Sequence, residues 1–209
     1  MQILIGTTNP SKVGYFEKLL ADADVSFITP RGLGISDEPR ETGGTPEENA
    51  RIKAAFYGQY ADAVICADSG LYFDALPLDD PRQPGLHIRT PNGVRLNDEQ
   101  MIAHYAALAH SLGGKVMAYY LDGCAVQRGG QVYGFQATRE EARARAFFLT
   151  DTPCAARQEG WPLDSLSLDL EEVSFLDAQR LTAEQMERQY VKRLKAFLRA
   201  SLGILNNGE

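Results

Sequence analysis

Apolar residues recur along this chain with two different periods. Gln2-Ile3-Leu4-Ile5-Gly6 is a short continuous apolar run and predicts a strand. A polar loop, Thr7-Thr8-Asn9-Pro10-Ser11-Lys12, follows, and then Val13, Phe16, Leu19 and Leu20 recur at helical spacing. Val25 to Ile28 predicts a second short strand, and residues 30–44, rich in Gly, Pro and charge, a loop. A helix start is written into Thr45-Pro46-Glu47-Glu48: Thr45 can cap, Pro46 suits the first helical position, and Glu48 completes a capping box. The helix is expected over residues 46–60, with Ala50, Ala54 and Tyr57 on one stripe and Asn49 and Lys53 sharing a face. Ala63 to Ala67 reads as a buried strand ending at Asp68, with Ser69-Gly70 as a turn and Leu71 to Leu76 as a further strand.

Beyond a proline-bearing loop, Pro77 to Pro84, a helix is expected from Asn97 to Leu112, stopped by Gly113-Gly114. Four strands are then expected: Lys115–Leu121, Gly123–Arg128, Gln131–Thr138 and Arg143–Leu149. Gly129-Gly130 supplies a hairpin turn between the second and third of these. Residues 150–180 read mostly as loop. Thr182 caps a last helix running to about Leu202, with Met186, Tyr190, Leu194, Phe197 and Leu198 as its core face.

Composition narrows the classes. The 209 residues, 44% of them hydrophobic, suffice for one sizeable core or one domain with a lobe. A net charge of −7 argues against a nucleic-acid or anionic-membrane partner, which needs a basic footprint. It leaves room for a small phosphate substrate, because a divalent cation can neutralise the clash with carboxylates. No apolar run approaches membrane-spanning length, and the amino terminus reads as a strand, not a signal peptide. Cys66, Cys124 and Cys154 are odd in number and form no C-x-x-C pair, so a reduced, cytoplasmic chain is expected.

The candidate chemistry gathers in the first 70 residues. Backbone amides, two hydroxyls, an amide and Lys12 at a helix entry make an anion site, although the Walker spacing is absent. In α/β folds ligands collect outside the carboxyl ends of strands. Glu41, Asn49, Lys53 and Asp68 could therefore converge on one site. Glu41 and Asp68 suit magnesium, which takes one or two carboxylates plus substrate phosphates. Lys12 and Lys53 can meet phosphate oxygens as point charges. The plainer readings are surface lysines, a turn-forming aspartate and a core tryptophan at Trp161.

Three motifs in order and spacing resemble the inosine/xanthosine triphosphate pyrophosphatases. They are Thr7 to Lys12; Glu41-Thr42-Gly43 with Glu48-Asn49-Ala50 and Lys53; and Ala67-Asp68-Ser69-Gly70-Leu71 with Asp74-Ala75-Leu76 and Pro84-Gly85. The resemblance is strong over residues 1–89 and weak beyond. It implies one domain over residues 1–209, an elongated α/β fold with a long mixed sheet flanked by helices, and two lobes about a central cleft. It implies hydrolysis of non-standard purine nucleoside triphosphates such as ITP, dITP and XTP to a monophosphate and pyrophosphate. It also implies magnesium (or manganese) as cofactor and a homodimer. Thr7, Thr8, Asn9, Lys12, Asn49, Lys53 and Ser69 match substrate-side positions. Glu41 matches a metal ligand, and Asp68 a general base or ligand. Arg89, Trp161, Asp164 and Arg188 are the counterparts expected near the nucleotide, Trp161 as a stacking face. Many members carry two acids where this chain has Ala67-Asp68, and the family's Phe-Gly-Tyr-Asp and Ser-His-Arg segments have no clean match. Two alternatives stay open: a pyrophosphatase with a shifted base preference, such as a modified pyrimidine, and a non-catalytic nucleotide-binding protein.

Overall fold

The computed structural model describes residues 1–176 and 189–205. Among these, seven strands form one mixed sheet. They are β1 (Gln2–Ile5), β2 (Ser26–Ile28), β3 (Ala63–Phe73), β4 (Lys115–Arg128), β5 (Gln131–Gln136), β6 (Phe147–Thr150) and β7 (Ser167–Leu168). Their order is β2-β1-β3-β4-β6-β7, with β5 paired to β4. β1 runs parallel to β2 and β3, whereas β4–β5, β4–β6 and β6–β7 are antiparallel. The helices are α1 (Pro10–Leu19), α2 (Pro46–Tyr57), α3 (Asp98–Ser111), α4 (Arg139–Arg143) and α5 (Gln189–Leu202). The expected mixed α/β sheet flanked by helices is the observed fold class. No helix among the described residues is long and apolar enough to cross a membrane.

The chain divides into two compact units, and β3 and β4 each pass through both. The first unit holds residues 1–69, 122–137 and 189–205, and the second 70–121 and 138–176. In the first, Leu4, Val64, Cys66 and Ala125 pack against Ala50, Ala54 and Tyr57 of α2. In the second, α3 contributes Met101, Ile102, Tyr105 and Ala109 to a core shared with Leu71, Phe73, Phe147 and Leu149. β2 and β3 lie on opposite sides of β1, so right-handed crossovers send α1 and α2 to opposite faces of the sheet. The carboxyl end of β1 is thus the point where the winding reverses, the usual location of a ligand crevice.

Several local expectations change. Ser69-Gly70 is not a turn: β3 runs unbroken from Ala63 to Phe73, so Asp68 sits within the strand. Leu71 exchanges backbone hydrogen bonds with Gly85, both at 2.9 Å, and this pairing overrides the turn preference of Gly70. Leu121-Asp122-Gly123 does not interrupt β4, which spans 14 residues. The first helix starts at Pro10, so Pro10-Ser11-Lys12 is its first turn, and α2 ends at Tyr57. Thr45 caps α2 as expected, but the Glu48 carboxylate accepts from Gly44 N at 2.7 Å, one residue before the cap. Arg143 belongs to α4, not to a strand, because Thr138 and Glu141 form a full capping box. Tyr190, Leu194 and Leu198 line the buried face of α5, as expected, while Thr182 and Met186 lie outside the described residues.

Gly123 carries a packing constraint. The first turn of α2 lies directly on this part of β4: a Cβ at Gly123 would stand 2.2 Å from Glu47 N and 2.3 Å from the Pro46 carbonyl carbon. Both neighbours are backbone and cannot swing away. Gly123→Ala should therefore lower stability by about 1–3 kcal/mol, the usual range for overpacking, visible as a fall in thermal midpoint. A midpoint equal to that of the parent chain would refute this close approach.

Candidate active site

β1 stops at Ile5 while β3 continues, and this leaves part of β3 without a neighbour on that edge. Gly6 N donates to Ile65 O at 2.8 Å. Carbonyls two residues apart point the same way along a strand, so Ala67 O faces the place β1 would have occupied. Lys12 fills it, donating from Nζ to Ala67 O at 3.4 Å. The Lys12 backbone is fixed by the entry of α1. Asn9 Oδ1 caps the helix by accepting from Ser11 N at 2.9 Å, and Asn9 N donates to Thr7 Oγ1 at 3.1 Å. Thr8 Oγ1 donates to Glu38 at 3.3 Å. A lysine in the first turn sits at the unfavourable end of the helix dipole. Burial pushes its ammonium below the ordinary lysine value, and the nearby Lys53 adds to this; Asp68, Asp122 and Glu41 oppose it.

The alternation of β3 turns Val64, Cys66 and Asp68 towards α2. There each oxygen of the buried Asp68 has its own partner from that helix. Asn49 Nδ2 donates to Oδ2 at 3.0 Å and Lys53 Nζ to Oδ1 at 3.1 Å. The same ammonium stands 3.2 Å from Glu41 Oε1, so one lysine bridges two carboxylates 27 residues apart in the chain, 68 minus 41. Burial opposes charge on Lys53, but Asp68 and Glu41 outweigh it and the net direction is upward. Asn49, only 3% exposed, also accepts from Gly43 N at 2.8 Å and so ties the Glu41 loop to the same cluster. Gly43 has no room for a side chain, since a Cβ there would meet Glu48 Cβ at 2.6 Å and Asn49 N at 2.9 Å.

Lys12, Glu41, Asn49, Lys53 and Asp68 are therefore brought together in the first unit, and Thr7, Thr8 and Asn9 form the adjoining helix entry. On the other face of β3, Ser69 Oγ donates to Asp122 Oδ1 at 2.8 Å. Asp122 is a third carboxylate acting on Lys12. The sequence reading passed over it, although an aspartate inside an apolar strand pattern was the available signal. Among the described residues no group of three or more His, Cys, Asp or Glu side chains is arranged to hold a metal ion by itself. Burial drives the Cys66 thiol up to about 12, in keeping with a structural cysteine.

Arg89, Trp161 and Asp164 belong to the second unit. Arg89 donates to Asp98 at 2.7 Å and to Leu96 O at 3.4 Å. Trp161, 40% exposed, precedes the short 3-10 turn Pro162–Leu166, which contains Asp164. Burial pushes the Asp164 carboxyl up to about 7. Arg188 lies outside the described residues.

A parallel strand–helix–strand start, with a lysine at the helix entry and carboxylates beyond the first strand, is the build in which α/β proteins commonly hold anions. The Ham1 family model matches residues 3–138, and the chain belongs to the Ham1 family. It is 37% identical over 100 residues to the dITP/XTP pyrophosphatase of Leptospira interrogans serogroup Icterohaemorrhagiae serovar copenhageni, covering 47% of this chain and 48% of that one. It is 36% identical over 88 residues to the dITP/XTP pyrophosphatase of Thermoanaerobacter pseudethanolicus, covering 42% of each. The chain spans about half the length of the curated relatives it matches. Its fold is similar to the Ham1 protein of Staphylococcus aureus (TM-score 0.65, 23% identity, 96% of this chain and 99% of that one). It is also similar to a HAM1 protein from Coxiella burnetii (TM-score 0.68, 19% identity, 97% and 98%).

Two outcomes follow from this geometry. Asn49→Ala leaves Gly43 N and one oxygen of Asp68 without their buried partner, and should cost about 1–3 kcal/mol in chemical denaturation. For Asp164, an ordinary aspartate near 3.8 is raised to about 7 in the folded chain. Between those values the folded protein holds a proton that the unfolded chain has lost, so stability is full at acid pH and declines as pH rises towards 7. Asp164→Asn removes that decline. The thermal midpoint of the variant should gain on the parent between about pH 4 and pH 8; parallel midpoints across the range would exclude the buried carboxyl as the cause.

Proposed function

We propose that this chain is a nucleoside triphosphate pyrophosphatase acting on non-standard purine nucleotides such as dITP, XTP and ITP. The observation that carries the reading is the single cluster of Lys12, Glu41, Asn49, Lys53 and Asp68 at the winding reversal of a Ham1-family chain. The names of the dITP/XTP pyrophosphatases it resembles support the substrate class.

Glu41 and Asp68 fit a magnesium ion. Both offer hard carboxylate oxygens, and both already face one positive charge, at 3.2 and 3.1 Å from Lys53. When bound there, magnesium supplies charge neutralisation of the phosphate oxygens and makes a coordinated water more acidic. The protein groups do the rest. Lys12 and Lys53 meet phosphate oxygens. Asn49 holds one Asp68 oxygen and so orients the other. Asp68 then takes a proton from the water whose oxygen bonds to the α-phosphorus, while the bond from that phosphorus to the β-side oxygen breaks. The products are a nucleoside monophosphate and pyrophosphate. Trp161 and Asp164 are assigned to the base, Thr7, Thr8, Asn9 and Ser69 to the phosphate side, Arg89 to the nucleotide and Arg188 to the purine edge, as the resemblance implies. The same resemblance supports a homodimer.

The test is pyrophosphate release from dITP, XTP, ITP, GTP and dUTP with magnesium at mildly alkaline pH. The wild type should prefer the non-standard purines. Asp68→Ala and Glu41→Ala should each lose about 100-fold or more, as expected when an acid–base or electrostatic group is removed. Equal release by wild type and Asp68→Ala would defeat the proposal, and a preference for dUTP would move the substrate class to pyrimidines.

A further inference from the structure

Asn49 and Lys53 act through their reach from α2 to Asp68 on β3. Hydrogen bonds of about 3 Å tolerate little sliding of the helix, so something must hold α2 against the sheet at its first turn. The helix's own cap at Thr45 closes the helix upon itself and fixes nothing outside it.

Gln136, the last residue of β5, makes that connection. Its Oε1 accepts from Glu47 N at 3.1 Å, one of the first-turn amides that have no partner within a helix. Its Nε2 donates to Asp122 O at 3.0 Å. Gln136 stands opposite Gly123 in the β4–β5 register, and the missing side chain of Gly123 is what lets the first turn of α2 lie flat on the strands. The bracket continues on the other side. The Asp122 carboxylate accepts from Ser69, the residue after Asp68, at 2.8 Å. One side chain therefore links the helix that carries Asn49 and Lys53 to the residue that grips β3 beside Asp68.

We infer that Gln136 is a positioning residue: it fixes α2 relative to β3, and through Asn49 and Lys53 it sets the orientation of the Asp68 carboxylate. The kinetic consequence rests on the pyrophosphatase reading above, whereas the structural one does not. Gln136→Met fills nearly the same volume and removes all three side-chain hydrogen bonds, the third being from Nε2 to Ala137 O at 3.4 Å. Gln136→Glu keeps an acceptor towards the Glu47 amide.

Hydrogen exchange over residues 46–53 is the direct test. Gln136→Met should exchange there about tenfold faster than wild type, as expected for losing one net hydrogen bond, while α3 is unchanged. Gln136→Glu should regain most of that protection. With dITP as substrate and magnesium saturating, Gln136→Met should lose about tenfold in kcat with KM within about twofold, because a slackened α2 misaligns Asp68 and leaves the Lys12 side of the site intact. Equal protection of residues 46–53 in Gln136→Met and wild type overturns the inference, as does equal loss in Gln136→Met and Gln136→Glu. Absence of turnover in the wild type would bring down the pyrophosphatase reading alone, and the exchange experiment would still decide the role of Gln136.

Discussion

The ammonium of Lys53 is the contact on which the site depends. Two ionised carboxylates in a partly buried space repel each other unless a positive charge stands between them, and Lys53 provides that charge at 3.1 and 3.2 Å. Removing it would leave Asp68 and Glu41 repelling each other beside a loop tied to α2 by the Gly43–Asn49 and Gly44–Glu48 hydrogen bonds. A lysine is the right residue for the task. Its flexible stem lets one charge reach both carboxylates. Helix α2 brings Lys53 and Asn49 to bear together because they are four residues apart and share a face.

The position of this cluster follows from chain topology. β1 is short, β3 is long, and the difference exposes the edge of β3 where the chain winding reverses. A strand edge with free carbonyls needs donors, and Lys12 supplies one to Ala67. The opening of the sheet and the arrival of positive charge are thus one event. Asp122 and Ser69 extend the same arrangement to the second face, where an aspartate within an apolar strand is the signal in the sequence.

Much of the first half was legible because local and tertiary preferences agree there. Thr45-Pro46 and Asn9-Pro10 are strong helix entries, and the apolar runs at Ile3 and Val64 have no competing reading. The failures have a common cause. The local meaning of Ser69-Gly70 is a turn and that of Asp122 a break between strands, whereas close packing and strand pairing give them another. Gly123 is there to admit a helix, not to bend a strand. No single-chain pattern reports that a residue 76 positions away, 123 minus 47, needs the space. The site residues were found by motif spacing, but their geometry was not. In particular, nothing in the sequence says that Lys53 would lie between Glu41 and Asp68 and not beside either one.

Lys12 has a consequence for anyone who tries to improve this protein. It is a cation at the end of a helix that favours anions, and it is desolvated as well. An acidic residue would suit that helix turn better on local grounds. The carboxylates of Asp68, Asp122 and Glu41 and the carbonyl of Ala67 oppose that preference, so a negative charge here would trade one repulsion for several. Redesign of this helix therefore has to read position 12 from the sheet and the carboxylates it faces, not from the helix that carries it.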